Sequence, residues 1–216
     1  MTPYYQQSGI TIYHADCRDV LDEWEGLRTQ TFSLLLTDPP YGIDYGNAGG
    51  FSASHGWSTD REGLTWDAEP VDPQTMARCM GVCEKAVIWG GNYYVLPPSM
   101  GWLVWDKGQR EFSLADGELA WTSENRALRI FNYPRGRALK DRNGHPTQKP
   151  EPLIAWVLAM FPDSSTVFDP FMGSGTTLVA SKRLGRQAVG IEREEKYCEI
   201  AAKRLSQVVL PLEMGA

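Results

Sequence analysis

Apolar residues along this chain fall into short runs rather than long stripes. Ile10–Tyr13, Phe32–Thr37, Ala86–Trp89, Trp102–Trp105, Glu118–Thr122, Thr166–Asp169 and Gln187–Glu192 each have the length and composition of a strand, and Leu128–Phe131 reads as one more. Helical spacing appears between them. Val20–Leu27 forms a helical core, and Asp72-Pro73 supplies an N-cap and first turn for a helix to about Glu84. Leu153, Trp156, Val157 and Met160 line one face of a helix over Pro152–Phe161. Two more helices are expected over Thr177–Leu184 and Glu194–Gln207. Strands that alternate with helices predict an α/β fold, a doubly wound and mostly parallel sheet with both faces covered.

Two stretches break the rhythm. Residues 42–66 hold Gly46, Gly49, Gly50 and Gly56 with small polar residues and two candidate exposed aromatics, Phe51 and Trp57. They read as a loop, expected to be mobile, of the length associated with lids. Arg135–Gly144 is polar and glycine-containing, so it also reads as a loop. It carries Arg135, Arg137, Lys140 and Arg142, with Lys149 beyond, against Asp141 alone. Such a cluster is either a solvated loop or a surface that neutralises phosphates.

Composition narrows the class. The 216 residues fit a single domain, 42% hydrophobic and 22% charged, as in ordinary soluble proteins. No apolar run approaches membrane-spanning length, and Met1–Gln7 lacks the regions of a signal peptide, so the expected location is the cytoplasm. Cys17, Cys79, Cys83 and Cys198 are scattered, with no second Cys or His pair to complete a zinc site, and read as free thiols. The net charge of -6 does not advertise nucleic-acid binding, which leaves the local basic cluster as the place to look for it.

Chemistry concentrates at the ends of two predicted strands. Asp38-Pro39-Pro40-Tyr41 closes the Phe32–Thr37 run with an ionised acceptor, a rigid turn and a flat ring. That set suits a planar group bearing an exocyclic amine, such as adenine or cytosine, although it also serves as a strand-ending turn. Asp169-Pro-Phe171-Met-Gly173-Ser-Gly175 lies between a strand and a helix, where glycines let backbone approach a ligand. Glu192 ends the next strand, roughly twenty residues on, where a ribose diol would lie. The turn lacks the third glycine of the dinucleotide fingerprint, and no Lys follows Gly175 as in a phosphate-binding loop. Asp169 would repel a pyrophosphate but tolerate a sulfonium, so S-adenosylmethionine is favoured over NAD or ATP.

Together, Asp38–Tyr41, His145–Pro150, Phe168–Thr177 and Gly190–Glu192 resemble the amino-group DNA methyltransferases of adenine N6 or cytosine N4. The resemblance runs from about Ile10 to Leu205, with the catalytic segment ahead of the cofactor segment, the circularly permuted order of the β group, and it is nearest to the short stand-alone methylases of phages. It implies a Rossmann-like methyltransferase fold in which Asp38, Pro39, Pro40 and Tyr41 are catalytic. Asp169, Phe171, Gly173, Gly175 and Glu192 would bind S-adenosylmethionine. Asp16 would return beside Glu192 and accept from the cofactor's adenine amine, or serve as a helix N-cap. Thr147 and Lys149 would sit near the methionine end. The expected partner is double-stranded DNA, with a homodimer and a cognate restriction nuclease left open. Asp at the first motif position is typical of adenine enzymes, whereas Ser is commoner in cytosine-N4 enzymes. The space from Lys107 to His145 is short for a target-recognition insertion, which implies brief sequence recognition or a second subunit. Trp89, Tyr93 and Tyr94 are either walls of a base pocket or core residues. The competing readings are methylation of an RNA base or a glutamine amide, and a non-catalytic cofactor- or DNA-binding accessory.

Overall fold

The computed structural model describes residues 1–27, 31–43, 69–110, 115–140 and 148–207. The strands are β1 (Tyr5–Gln7), β2 (Ile10–His14), β3 (Leu34–Thr37), β4 (Ala86–Trp89), β5 (Trp102–Asp106), β6 (Gly117–Thr122), β7 (Arg129–Asn132), β8 (Thr166–Asp169) and β9 (Gln187–Glu192). They form one sheet in the order β1-β2-β9-β8-β3-β4-β6-β5-β7. The run β2-β9-β8-β3-β4 is parallel, β6 is antiparallel to both β4 and β5, and β7 is parallel to β5.

Alternate residues of the central strands bury into two separate apolar layers, as a period of two requires. Leu34 and Leu36 of β3 face one layer, with α4 (Glu151–Ala159), α5 (Thr176–Arg183) and α6 (Glu195–Gln207) packed there through Leu153, Val157, Val179 and Leu205. Leu35 faces the other, with α1 (Cys17–Leu27) and α2 (Pro73–Gly81) packed through Leu21, Trp24 and Met76. Because β3 and β4 are buried on both faces, Leu34–Leu36 and Ala86–Trp89 are apolar runs rather than alternating patterns. This is the doubly wound α/β arrangement expected from the sequence.

Strand direction decides where the chemistry collects. The carboxyl ends of β2, β9, β8, β3 and β4 share one edge of the sheet. The reversal of β6 brings its amino end, Gly117-Glu118, to that same edge, and β5 delivers Lys107 there. Ligands of doubly wound sheets bind at this edge, near the point where the strand order reverses. Here that point is the β8–β3 boundary.

Three features differ from the sequence reading. Arg135–Lys140 is a short helix, α3, rather than loop: Arg137 and Ala138 N–H groups bond back to the Pro134 carbonyl, and Ala138 buries against the sheet. The α2 helix ends at Gly81 instead of running to Glu84, because Phe32 and Cys83 pair as an isolated bridge and draw the chain into β4. β1, an edge strand on β2, has no apolar pattern to announce it. The loop read over 42–66 lies outside the described residues beyond Ile43. Among the described residues, no helix is long and apolar enough to cross a membrane.

Candidate active site

Asp38 follows the last residue of β3, so the strand's burial fixes its position. Its Oδ1 accepts from the Tyr41 hydroxyl and its Oδ2 from the Lys149 ammonium. Lys149 is buried, its Nζ lies 3.3 Å from the Tyr41 hydroxyl, and it also pairs with Glu118 at 3.0 Å. Glu118 in turn pairs with Lys107 at 2.6 Å. Two carboxylates and two ammonium groups thus alternate across the floor of the cleft. Burial and the neighbouring Glu118 push the Asp38 carboxyl up, against the pull of Lys149 and Tyr41. Glu118 is held down to about 2: Lys149 and Lys107 together outweigh its burial. Lys149 is raised because Asp38 and Glu118 outweigh its own burial.

The aromatic residues are arranged around this set. Tyr41 stacks on Tyr93, with ring centroids 4.8 Å apart and planes 13° off parallel. Gly90, at φ +65°, forms the surface beneath the Tyr41 ring: a Cβ there would come within 2.1 Å of Tyr41 Cε1. The Tyr94 hydroxyl donates to the Pro40 carbonyl and pins the turn. Trp89 is a core residue that also edges the cleft, whereas Tyr93 is half exposed. The two wall-or-core candidates at 89 and 93 therefore divide between the alternatives.

The glycine turn lies one strand away. Thr37, next to Asp38, donates its hydroxyl to Asp169 Oδ1 at 2.8 Å, which ties the two motifs together. Asp169 is buried, also accepts from Phe171 N at 3.2 Å, and is pushed up to about 6 by its burial. Gly173 N donates to Glu192 Oε2 at 3.1 Å, and Glu194 N donates to Oε1 at 2.8 Å. Gly175 caps α5 at φ +77°, where a Cβ would sit 2.7 Å from the Ala201 Cβ. Arg204 of α6 donates to the Ser174 carbonyl at 2.5 Å and holds the turn from behind.

Asp16 stands beside Glu192, since His14 pairs with Glu192 across β2–β9 and Ala15 N donates to the Glu192 carbonyl at 3.1 Å. Its Oδ1 accepts from Arg18 N at 2.9 Å, so it also caps the start of α1. Asp16, Asp38–Tyr41, Lys149, Asp169, Phe171, Gly173 and Glu192 all line one cleft of about 800 Å³. Gly175 lies just behind it. Arg135 reaches the cleft, while Arg137 and Lys140 face solvent on α3. Arg142 and Thr147 lie outside the described residues. Glu118, Lys107, Gly90 and Arg204 were missed from the sequence. Of these only Glu118 carried a signal, a charge inside an otherwise apolar strand.

With this geometry in view, the relatives are informative. A family model for DNA methylase, the N6/N4 methyltransferases, matches residues 83–203, more than half of the chain. The chain is 27% identical over 255 residues to the type II methyltransferase M2.LlaDCHI of Lactococcus lactis subsp. cremoris, with 95% of this chain and 92% of the relative covered. It is 26% identical over 252 residues to the type II methyltransferase M2.DpnII of Streptococcus pneumoniae, with 94% and 92% covered. Among solved structures, the M1.HpyAVI–SAM complex aligns with a TM-score of 0.62 at 24% identity, covering 91% of this chain and all of that one. The cytosine-N4-specific PvuII DNA methyltransferase aligns at 0.54 and 16% identity, with 97% of each chain covered. These two likenesses are likenesses of fold.

Proposed function

We propose that this chain, which belongs to the N6/N4 DNA methylase family, methylates the exocyclic N6 of an adenine flipped out of double-stranded DNA. The family's reaction, transfer of a methyl group to a base amine, is common to both target bases. S-adenosylmethionine supplies the electrophilic methyl group when bound. The observation that carries the reading is the Thr37–Asp169 hydrogen bond, which sets the Asp38 carboxylate beside the glycine turn.

The residues present fit that cofactor. Glu192 is half-buried at a strand end with two backbone N–H groups already on it, leaving lone pairs for a ribose diol. Asp16 offers an acceptor for an amine, and Asp169 places carboxyl chemistry where a cation is welcome. Gly173 and Gly175 bring no Cβ into the turn. Thr147 and Lys149 were expected near the methionine end. Lys149 instead has Asp38 and Glu118 as partners here, so we assign it to the catalytic acid and leave the methionine carboxylate to the turn and Thr147.

On the target side, Asp38 and the Pro39 carbonyl accept the two N–H bonds of the base amine. That localises its lone pair, otherwise delocalised into the ring, toward the methyl donor. As the amine becomes cationic, Asp38 stabilises the charge, and one amine proton passes to its carboxylate and on to water. The amine is inaccessible within a duplex, so the base leaves the stack and lies against the aromatic surface of Tyr41 and Tyr93. Arg135, Arg137, Lys140 and Arg142 contact phosphates and position the duplex. Adenine is chosen over cytosine on the acid at position 38.

The test is nucleoside mass spectrometry of unmethylated duplex DNA incubated with the protein and isotopically labelled S-adenosylmethionine. Labelled N6-methyladenine is the expected product. N4-methylcytosine would keep the mechanism and overturn the base. No methylated base, despite cofactor binding, would overturn the DNA substrate.

A further inference from the structure

The floor of the cleft holds more charge than the proposed chemistry uses. Lys107, Glu118, Lys149 and Asp38 come from four separate segments, and their charges alternate and cancel. Such partly buried ion pairs seldom add stability over apolar packing, so their presence calls for another reason.

We propose that Glu118 is a positioning residue for methyl transfer: it retains the Lys149 ammonium while Asp38 exchanges that ammonium for the amine of the target base. This rests on the reading of Asp38 as the catalytic acid. Asp38 Oδ2 accepts from Lys149 and Oδ1 from Tyr41. An amine that gains positive charge beside Asp38 would be opposed by an ammonium with no other partner. Glu118 provides that partner, with its Oε2 3.0 Å from Lys149 Nζ. Lys107 neutralises the opposite oxygen at 2.6 Å and keeps Glu118 ionised in its half-buried position. Hydrogen bonds alone are exchanged, and no covalent change is involved.

The β6 strand explains why this residue can do it. Because β6 runs against β4, its amino end meets the carboxyl ends of the parallel strands, and Ala120 pairs with Trp89. Glu118 thus enters the cleft from the side opposite the glycine turn. There it can act on Lys149 without touching the cofactor side.

Two charge-removing variants with opposite signs form the test. Glu118→Gln keeps the shape but loses the anchor, so Lys149 stays on Asp38 and competes with the base. The expected result is a fall in kcat/KM of about tenfold, carried mainly by KM for DNA. S-adenosylmethionine affinity by calorimetry should be unchanged. The groups facing Asp38 are Lys149 and Glu118, Tyr41 from its own turn and Asp169 from β8, with Lys107 acting through Glu118. Removing the Glu118 anion therefore moves the acid limb of the kcat/KM profile to lower pH. Lys107→Gln removes a cation and moves the same limb to higher pH. A Glu118→Gln enzyme with wild-type KM and pH profile overturns the proposal, as do limbs that shift in one direction in both variants. Should Glu118→Gln fail to fold, a Lys107→Gln limb that stays in place overturns it alone. Full activity in Asp38→Ala would instead sink the underlying assignment of the acid, a separate result.

Discussion

The two halves of the cleft are built by different physics. The half proposed for catalysis is a set of charges, Asp38, Lys149, Glu118 and Lys107, gathered from residues as far as 111 positions apart. The half proposed for the cofactor is mostly backbone: glycines at positive φ, N–H groups on Glu192, and a carboxyl buried among hydroxyls. The first half is sensitive to charge and pH, and the second to a single added carbon. One sheet edge carries both because parallel strands deliver their carboxyl ends together.

The sharpest way to separate the halves is Asp38→Ala. Turnover should fall by at least about a thousandfold, the combined scale of acid–base and electrostatic contributions. Cofactor affinity measured by calorimetry should stay within about twofold, since Thr37 rather than Asp38 makes the hydrogen bond to Asp169. Loss of both would show that the halves are not separable.

Gly175→Ala addresses the other half. The left-handed backbone costs a residue with a Cβ about 1–2 kcal/mol, and the 2.7 Å approach to Ala201 adds to that. The glycine turn should shift, with a lower Tm and S-adenosylmethionine affinity reduced about tenfold or more. A variant that binds the cofactor normally would mean that α6 yields instead, and that the turn does not depend on close packing.

What the sequence made legible follows the same division. The strands β3 and β4 could be read because double burial leaves three or four apolar residues in a row, and β8 and β9 because short apolar stretches end in Asp169 and Glu192. The glycine turn and Glu192 could be read because their geometry is local, within one strand–helix–strand unit. Glu118 could not, since its meaning comes from Lys107 and Lys149, and the latter lies 31 residues on, across a strand reversal that no periodicity reveals. The α3 helix was missed for another reason. Six residues with Gly136 among them are too few to show a helical period, and its stability comes from Ala138 docking on the sheet.

A third measurement concerns Asp169, the acid on the border between the halves. Its burial raises the folded-state pKa from 3.8 to about 6, so the folded protein holds this proton more tightly than the unfolded chain. The group's contribution is intact below about pH 3.8, is lost as pH rises toward 6, and is constant above that. The loss is on the order of 2–3 kcal/mol. Asp169→Asn keeps the acceptor for Thr37 and Phe171 but cannot ionise. Denaturant unfolding at pH 4.5 and 7 should show a smaller decline across that interval in the variant than in the parent. Identical declines would place the ionisation elsewhere.

The smallest effect belongs to α3, outside both halves. Arg137 and Lys140 are exposed on a helix whose neighbour Arg135 reaches the cleft. As phosphate contacts, each should weaken DNA binding several-fold when changed to Ala, uniformly across sequences, and lower the slope of log affinity against log salt by about one. Neither charge faces the catalytic or cofactor residues, so kcat at saturating DNA and cofactor affinity should hold. A changed sequence preference with an unchanged salt slope would instead place these side chains at base edges. The basic helix would then be where this compact chain reads its target.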